Sequence, residues 1–174
     1  AIATGLFYGR FSKPNAYIQF SDNAIIAPYR DIKGLMIRMA PHKNTNLSDA
    51  EAHITVGIMV EENVISVNKF YSLPLEMNKI NSLTLSWTLV HPIDEESPLF
   101  NLNEADYQRT IGEVLVYVKA FDDMYSSTVV KRTSYTFDEI VYGAKFLPMY
   151  NKNESNTKTI LHLDYLNKFM KVNL

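Results

Sequence analysis

The decisive stretch is Glu51-Ala52-His53-Ile54-Thr55-Val56-Gly57-Ile58-Met59-Val60. Its even positions are all apolar, while Glu51, His53 and Thr55 mark the other face, so the side chains alternate with a period of two. That pattern predicts a half-buried strand, one face in a core and the other polar. Gly57 within the run suggests a bulge. Residues 113–120 repeat the alternation, with Val114, Val116, Val118 and Ala120 on one face and Glu113, Tyr117 and Lys119 on the other.

Outward from these two runs, shorter β-rich segments at 17–20, 24–29, 35–40, 64–71, 83–90, 128–137 and 159–163 are separated by stretches rich in Asn, Asp, Ser and Pro. About nine strands at this spacing predict an all-β sandwich. Two short helices are expected beside them. One covers 103–110, with Asn103 as N-cap and Asp106 three residues on, and the other covers 164–171. The polar tract 151–158 reads as a loop.

Composition narrows the function classes. A chain of 174 residues suits one domain. Lys plus Arg is 17 and Asp plus Glu is 19, a net charge of −2, which argues against a nucleic-acid partner because phosphate neutralisation needs clustered cations. Hydrophobic residues at 47% and charged residues at 21% exclude wholesale disorder. The absence of Cys removes disulfides, thiolate-bound zinc and thiol catalysis. His42, His53, His91 and His162 lack metal-ligand spacing, and no phosphate-binding loop, dinucleotide fingerprint or nucleophile elbow occurs. No cofactor and no enzymatic activity are expected. An enzyme reading would start at His91-Pro92-Ile93-Asp94-Glu95-Glu96-Ser97-Pro98, but two prolines in eight residues make this a rigid turn. Thr55-Val56-Gly57 echoes part of a potassium selectivity filter, yet it lies inside an alternating run and lacks the following Gly, so it reads as strand.

The first residues differ from the rest. Ala1, Gly5 and Gly9 recur every four positions among Ile2, Leu6 and Phe7, and Arg10 and Lys13 follow. Small residues at that spacing, with cations just beyond, suggest the end of a membrane helix; an ordinary strand start or a frayed terminus is the other reading. No run reaches the roughly 18 apolar residues needed to cross a bilayer. The chain reads as part of a longer protein.

Three segments taken together carry a family likeness: Gly-Leu-Phe-Tyr-Gly-Arg-Phe-Ser-Lys-Pro at 5–14, Leu-Ser-Trp-Thr-Leu-Val-His-Pro-Ile-Asp-Glu-Glu-Ser-Pro-Leu at 85–99, and Asp-Glu-Ile-Val-Tyr-Gly-Ala-Lys-Phe at 138–146. In order and spacing they resemble the cytoplasmic domain of inward-rectifier potassium channels, and the prokaryotic branch most. The resemblance implies an immunoglobulin-like β-sandwich at 14–174, preceded at 1–13 by the end of the inner membrane helix and a linker. It implies a homotetrameric ring below a cell membrane that prolongs a potassium pathway. It also implies a place among the voltage-gated channel group.

Position by position, the resemblance makes Tyr8 the inner-helix gate and Glu51 an acidic residue lining the vestibule. Lys119 falls where many eukaryotic members carry a second acidic pore residue, a departure that implies weakened polyamine-dependent rectification. Ala120, Phe121, Asp122, Asp123, Met124, Tyr125 and Ser126 match an apical loop gate, without the Gly that relatives often have there, which predicts a stiff turn. Arg10 and Lys13 match residues that contact anionic phospholipid headgroups. An extracellular β-sandwich adhesion or carbohydrate-binding module is the alternative from a different class.

Overall fold

A computed structural model describes residues 16–42 and 45–174. Tyr8, Arg10 and Lys13, and the expected helix end at 1–13, lie outside the described residues.

The first sheet contains β1 (Ile18–Phe20), β2 (Ala24–Tyr29), β3 (Ile32–Pro41), β7 (Trp87–Ile93) and β10 (Ile140–Tyr142). β3 is its centre. It pairs antiparallel with β7 on one edge and with both β1 and β2 on the other, and β10 joins β2 in parallel.

The second sheet contains β4 (Leu47–Glu62), β5 (Ile65–Leu73), β6 (Lys79–Leu83), β8 (Gly112–Asp122) and β9 (Ser127–Thr136). β4 is its long spine, with β5 and β6 on one edge, β8 on the other, and β9 beyond β8. All these pairs are antiparallel.

The two sheets face each other across one core. Leu35, Ile37 and Met39 of β3, with Trp87 and Leu89 of β7, meet Ala52, Ile54 and Val56 of β4 and Val114, Val116 and Val118 of β8 in a single buried cluster. The alternation seen in the sequence is therefore the pleat of a sheet with one buried face. The fold is the expected all-β sandwich.

A third layer covers the back of the first sheet. β11 (Ala144–Phe146) pairs with β14 (Phe169–Lys171), and β12 (Tyr150–Lys152) with β13 (Thr159–Leu161). Ile25, Ala27 and Ala144 form a buried cluster on that side with Met36 and Phe146 packed against it, and Ala40, Met149 and Leu166 form another.

Several local expectations change. The bulge lies not at Gly57, which sits in regular register against Phe70 and Glu113, but between Ser48 and Glu51, where Asp49 has φ 48°. That extra residue switches the inward set from Leu47 to the even positions beginning at Ala50. At Gly57 the nearest atoms to a Cβ would be those of the exposed Phe70 ring, 2.8 Å away. The expected 83–90 strand is split into β6 and β7.

α1 (Glu104–Arg109) forms as expected, with a reciprocal capping box between Asn103 and Asp106. The second expected helix does not form. Residues Leu163–Tyr165 make one 3-10 turn, carried on by Lys168 N–H donating to Tyr165 O at 3.0 Å, and the chain then extends into β14, because the Leu166 carbonyl accepts from the Arg38 guanidinium and the Lys168 carbonyl from Arg38 and from Leu147 N–H. Among the described residues, no helix is long and apolar enough to cross a membrane.

Candidate functional site

The outer face of the second sheet is the polar face that the alternation left to explain. Register places Glu51 of β4 directly opposite Lys79 of β6 and Lys119 of β8, so three strands bring their charges into one row. Lys79 Nζ lies 3.5 Å and Lys119 Nζ 3.6 Å from Glu51 Oε2, while His53 Nε2–H donates to Oε1 at 3.1 Å. Burial works against the charge on Glu51, but Lys79, Lys119 and the hydrogen bond from His53 outweigh it and hold the carboxyl below the usual carboxylate range. Glu51 is thus ionised at neutral pH.

The next row holds His53, Tyr117 and Arg132, in register across β4, β8 and β9. The Arg132 guanidinium lies 5.0 Å from the Tyr117 ring centre, and the His53 ring is 6.2 Å from the same ring. Among the described residues, these two rows hold three fixed cations, Lys79, Lys119 and Arg132, against one carboxylate, a balance of 3 − 1 = +2. Glu113 is at the far end of the same face, six residues along β8 from Lys119. The sequence reading had found Glu51 and Lys119. It missed Lys79 and Arg132, which become neighbours only through strand pairing.

The apical stretch is shorter than expected. β8 continues through Ala120, Phe121 and Asp122, and the turn itself is Asp123, Met124, Tyr125 and Ser126. Asp122 is buried, and its Oδ1 accepts from the N–H groups of Met124 at 2.9 Å and Tyr125 at 3.3 Å. Asp123 N–H donates to Asn46 O at 3.0 Å, and Ser48 Oγ–H donates to Asp123 Oδ1 at 3.1 Å. Ser126 takes the left-handed conformation, φ 47°, that a Gly would adopt more cheaply. Phe121, Met124 and Tyr125 remain exposed at the tip.

The His91 to Pro98 segment is a turn. His91 Nδ1–H donates to Pro74 O at 2.7 Å, which leaves Nε2 to accept from the Ser97 hydroxyl at 2.8 Å; Ser97 Oγ also accepts from Leu99 N–H. Asp94 Oδ1 accepts from Glu96 N–H at 3.1 Å in the manner of an Asx turn. His91 has no carboxylate hydrogen-bond partner here, so no His–Asp dyad is assembled. Among the described residues, no group of three or more His, Asp or Glu side chains could hold a metal ion.

Comparison with known proteins bears on the whole chain. The model of the inward rectifier potassium channel C-terminal domain matches residues 18–174. The inward rectifier potassium channel Kirbac3.1 of Paramagnetospirillum magnetotacticum is 28% identical over 151 residues, covering 86% of this chain and 51% of the relative. The inward rectifier irk-1 of Caenorhabditis elegans is 24% identical, over 87% of this chain and 30% of its own. The G protein-activated inward rectifier potassium channel 1 of Rattus norvegicus is 25% identical, over 88% and 32%. The chain therefore spans about half the length of the first of these relatives and about a third of the other two. These matches leave the carbohydrate-binding alternative without support. With a family match over nearly its full length and a two-sheet sandwich beneath it, the chain belongs to the inward rectifier potassium channel C-terminal domain family.

Proposed function

We propose that this domain is the cytoplasmic vestibule and gating domain of a potassium channel. Four copies surround the ion pathway, and their outer-face rows at Glu51 point toward it. The observation that carries this reading is the Glu51 row itself. On this reading Glu51 and Lys119 face the pore; it is supported by the strand register that brings these two side chains to 3.6 Å on a sheet face that has no covering layer among the described residues. The domain has no catalytic role. The named relatives are described by inward rectification, none by voltage gating.

Sign decides what such a ring does. Clefts lined by one charge focus potential and change the local concentration of permeating ions. Each Glu51 here is neutralised by lysines, so four copies of the two rows, each pair of rows at +2, give 4 × 2 = +8 rather than a ring of acids. A multivalent organic cation gains little at that site, which makes polyamine-dependent rectification weak. The apical turn, fixed by Asp122 and Asp123, forms a stiff collar bearing Phe121, Met124 and Tyr125. Gating then proceeds by motion of the ring that shifts the linker at 11–14 and closes the path at Tyr8. Arg10 and Lys13 contact anionic headgroups weakly, each worth about 1 kcal/mol near a charged leaflet.

Potassium and sodium uptake into liposomes holding the full-length protein tests this reading. Potassium uptake in clear excess over sodium is expected; a full-length protein that inserts and passes neither ion would overturn it.

A further inference from the structure

Ser21, Asp22 and Asn23 separate β1 from β2, and four parts of the chain converge on them. Ser21 N–H donates to Arg38 O at 2.8 Å and Arg38 N–H donates to Ser21 Oγ at 3.3 Å, which ties the interruption to β3. From the second sheet, the buried Tyr135 hydroxyl donates to Ser21 O at 2.7 Å. From the C-terminal layer, Asn167 makes a reciprocal pair: Asp22 N–H donates to Asn167 Oδ1 at 2.8 Å, and Asn167 Nδ2–H donates to Asp22 Oδ2 at 2.7 Å. Asn23 Nδ2–H donates to Glu139 O at 3.0 Å, in the turn before β10.

Connecting residues of this type ordinarily bond to their own local backbone. Ser21 keeps one such bond, its hydroxyl donating to Asn23 O at 2.9 Å, but the further partners of Ser21, Asp22 and Asn23 on Tyr135, Asn167 and Glu139 lie 114, 145 and 116 residues away. The position is equally specific. Ala16 and Ile18, exposed by only 2% and 1%, anchor the chain in the core just ahead of the joint, and the three residues of β1 lead directly to Ser21.

We infer that Ser21, Asp22 and Asn23 form the joint through which both sheets and the C-terminal layer set the position of the segment leading to the membrane gate. The inference rests on the channel reading above. The Asp22–Asn167 pair is the element with two arrangements. Bonded, it holds the C-terminal turn against the joint; parted, both exposed groups turn to water while Arg38 keeps the layer docked. The other bonds, led by the buried one from Tyr135, keep the joint registered to the second sheet.

The test uses the full-length protein in lipid bilayers, reading open probability separately from unitary conductance. Asn167→Asp sets two carboxylates against each other, and a two- to fivefold change in open probability is expected, about the range an exposed pair's strength allows. The exchange Asp22→Asn with Asn167→Asp restores an amide facing a carboxylate and returns open probability to near the wild-type value. Tyr135→Phe, which loosens the same joint from the other sheet, shifts open probability in the same direction as Asn167→Asp. Unitary conductance stays unchanged in all three. Unaltered open probability in Asn167→Asp and Tyr135→Phe, or an exchange variant no closer to wild type than Asn167→Asp, overturns the inference while leaving the channel reading intact. A wild-type protein that conducts no potassium overturns the channel reading itself, and this inference with it.

Discussion

β3 and β4 are both central strands, yet one carries structure and the other carries charge outward. β3 is covered on two sides: Leu35, Ile37 and Met39 face the second sheet, and Met36, Arg38 and Ala40 face the C-terminal layer. It accordingly reads Gly-Leu-Met-Ile-Arg-Met-Ala-Pro at 34–41, apolar almost without alternation. β4 is covered on one side and alternates. A charge on β3 must therefore be solvated by protein, whereas charges on β4 meet water and each other.

Arg38 shows the first case. Its guanidinium is buried without a carboxylate, stacks 4.3 Å from the Phe146 ring centre, and donates to the carbonyls of Leu147, Tyr165, Leu166 and Lys168. Burial lowers its pKa to about 10, so it stays charged at neutral pH. Glu51 shows the second case, an ion-paired carboxylate on an uncovered face.

The sharpest way to break this contrast is to remove both charges in turn. Arg38→Met takes the guanidinium from all four carbonyls, leaving Tyr165 O and Lys168 O only their backbone donors Lys168 N–H and Leu147 N–H, and is expected to cost about 3 kcal/mol in urea unfolding, with faster amide exchange through 144–171. Glu51→Gln should move the unfolding midpoint far less. Equal losses would show that the row at Glu51 is structural too.

Two glycines give a smaller contrast. Gly143, between β10 and β11, has φ +69°, and a Cβ there would lie 2.7 Å from the backbone oxygen of Val172, so Gly143→Ala should cost about 2 kcal/mol. Gly57→Ala meets only the ring of Phe70, which is 64% exposed and free to swing aside, and should be nearly neutral. Thermal denaturation of the two variants compares them directly.

The smallest effect is one of pH. Burial depresses the pKa of His91, against the raising effects of the Pro74 carbonyl and Asp94, so its folded form favours the neutral ring. An unfolded chain then binds the extra proton first. Stability is expected to be level above about pH 6.5 and to fall as pH drops below it, toward the depressed folded value. His91→Gln should flatten that part of the profile in urea titrations at several pH values; an unchanged slope would assign it to other groups.

The contrast between the strands also explains what was legible from sequence. Alternation at 51–60 and 113–120 announced the sandwich and its open face, because a pleat exposes every second side chain. The third layer was hidden: β11, β12 and β14 are three residues each, too short for any period, and the reach of Arg38 to carbonyls 109 to 130 residues away leaves no local trace. The same holds at the candidate site. Glu51 and Lys119 were found through family likeness, while Lys79 and Arg132 depend on the β4–β6 and β8–β9 registers, which leave no mark in a single strand's sequence.

The most direct test of the central claim is spermine block of potassium current through the full-length protein, wild type against Lys119→Glu. Weak block in the wild type, strengthened about tenfold or more by the substitution, is expected if the uncovered face of the second sheet lines the pathway with a positive balance. Strong block in the wild type, or identical block in both proteins, would contradict it.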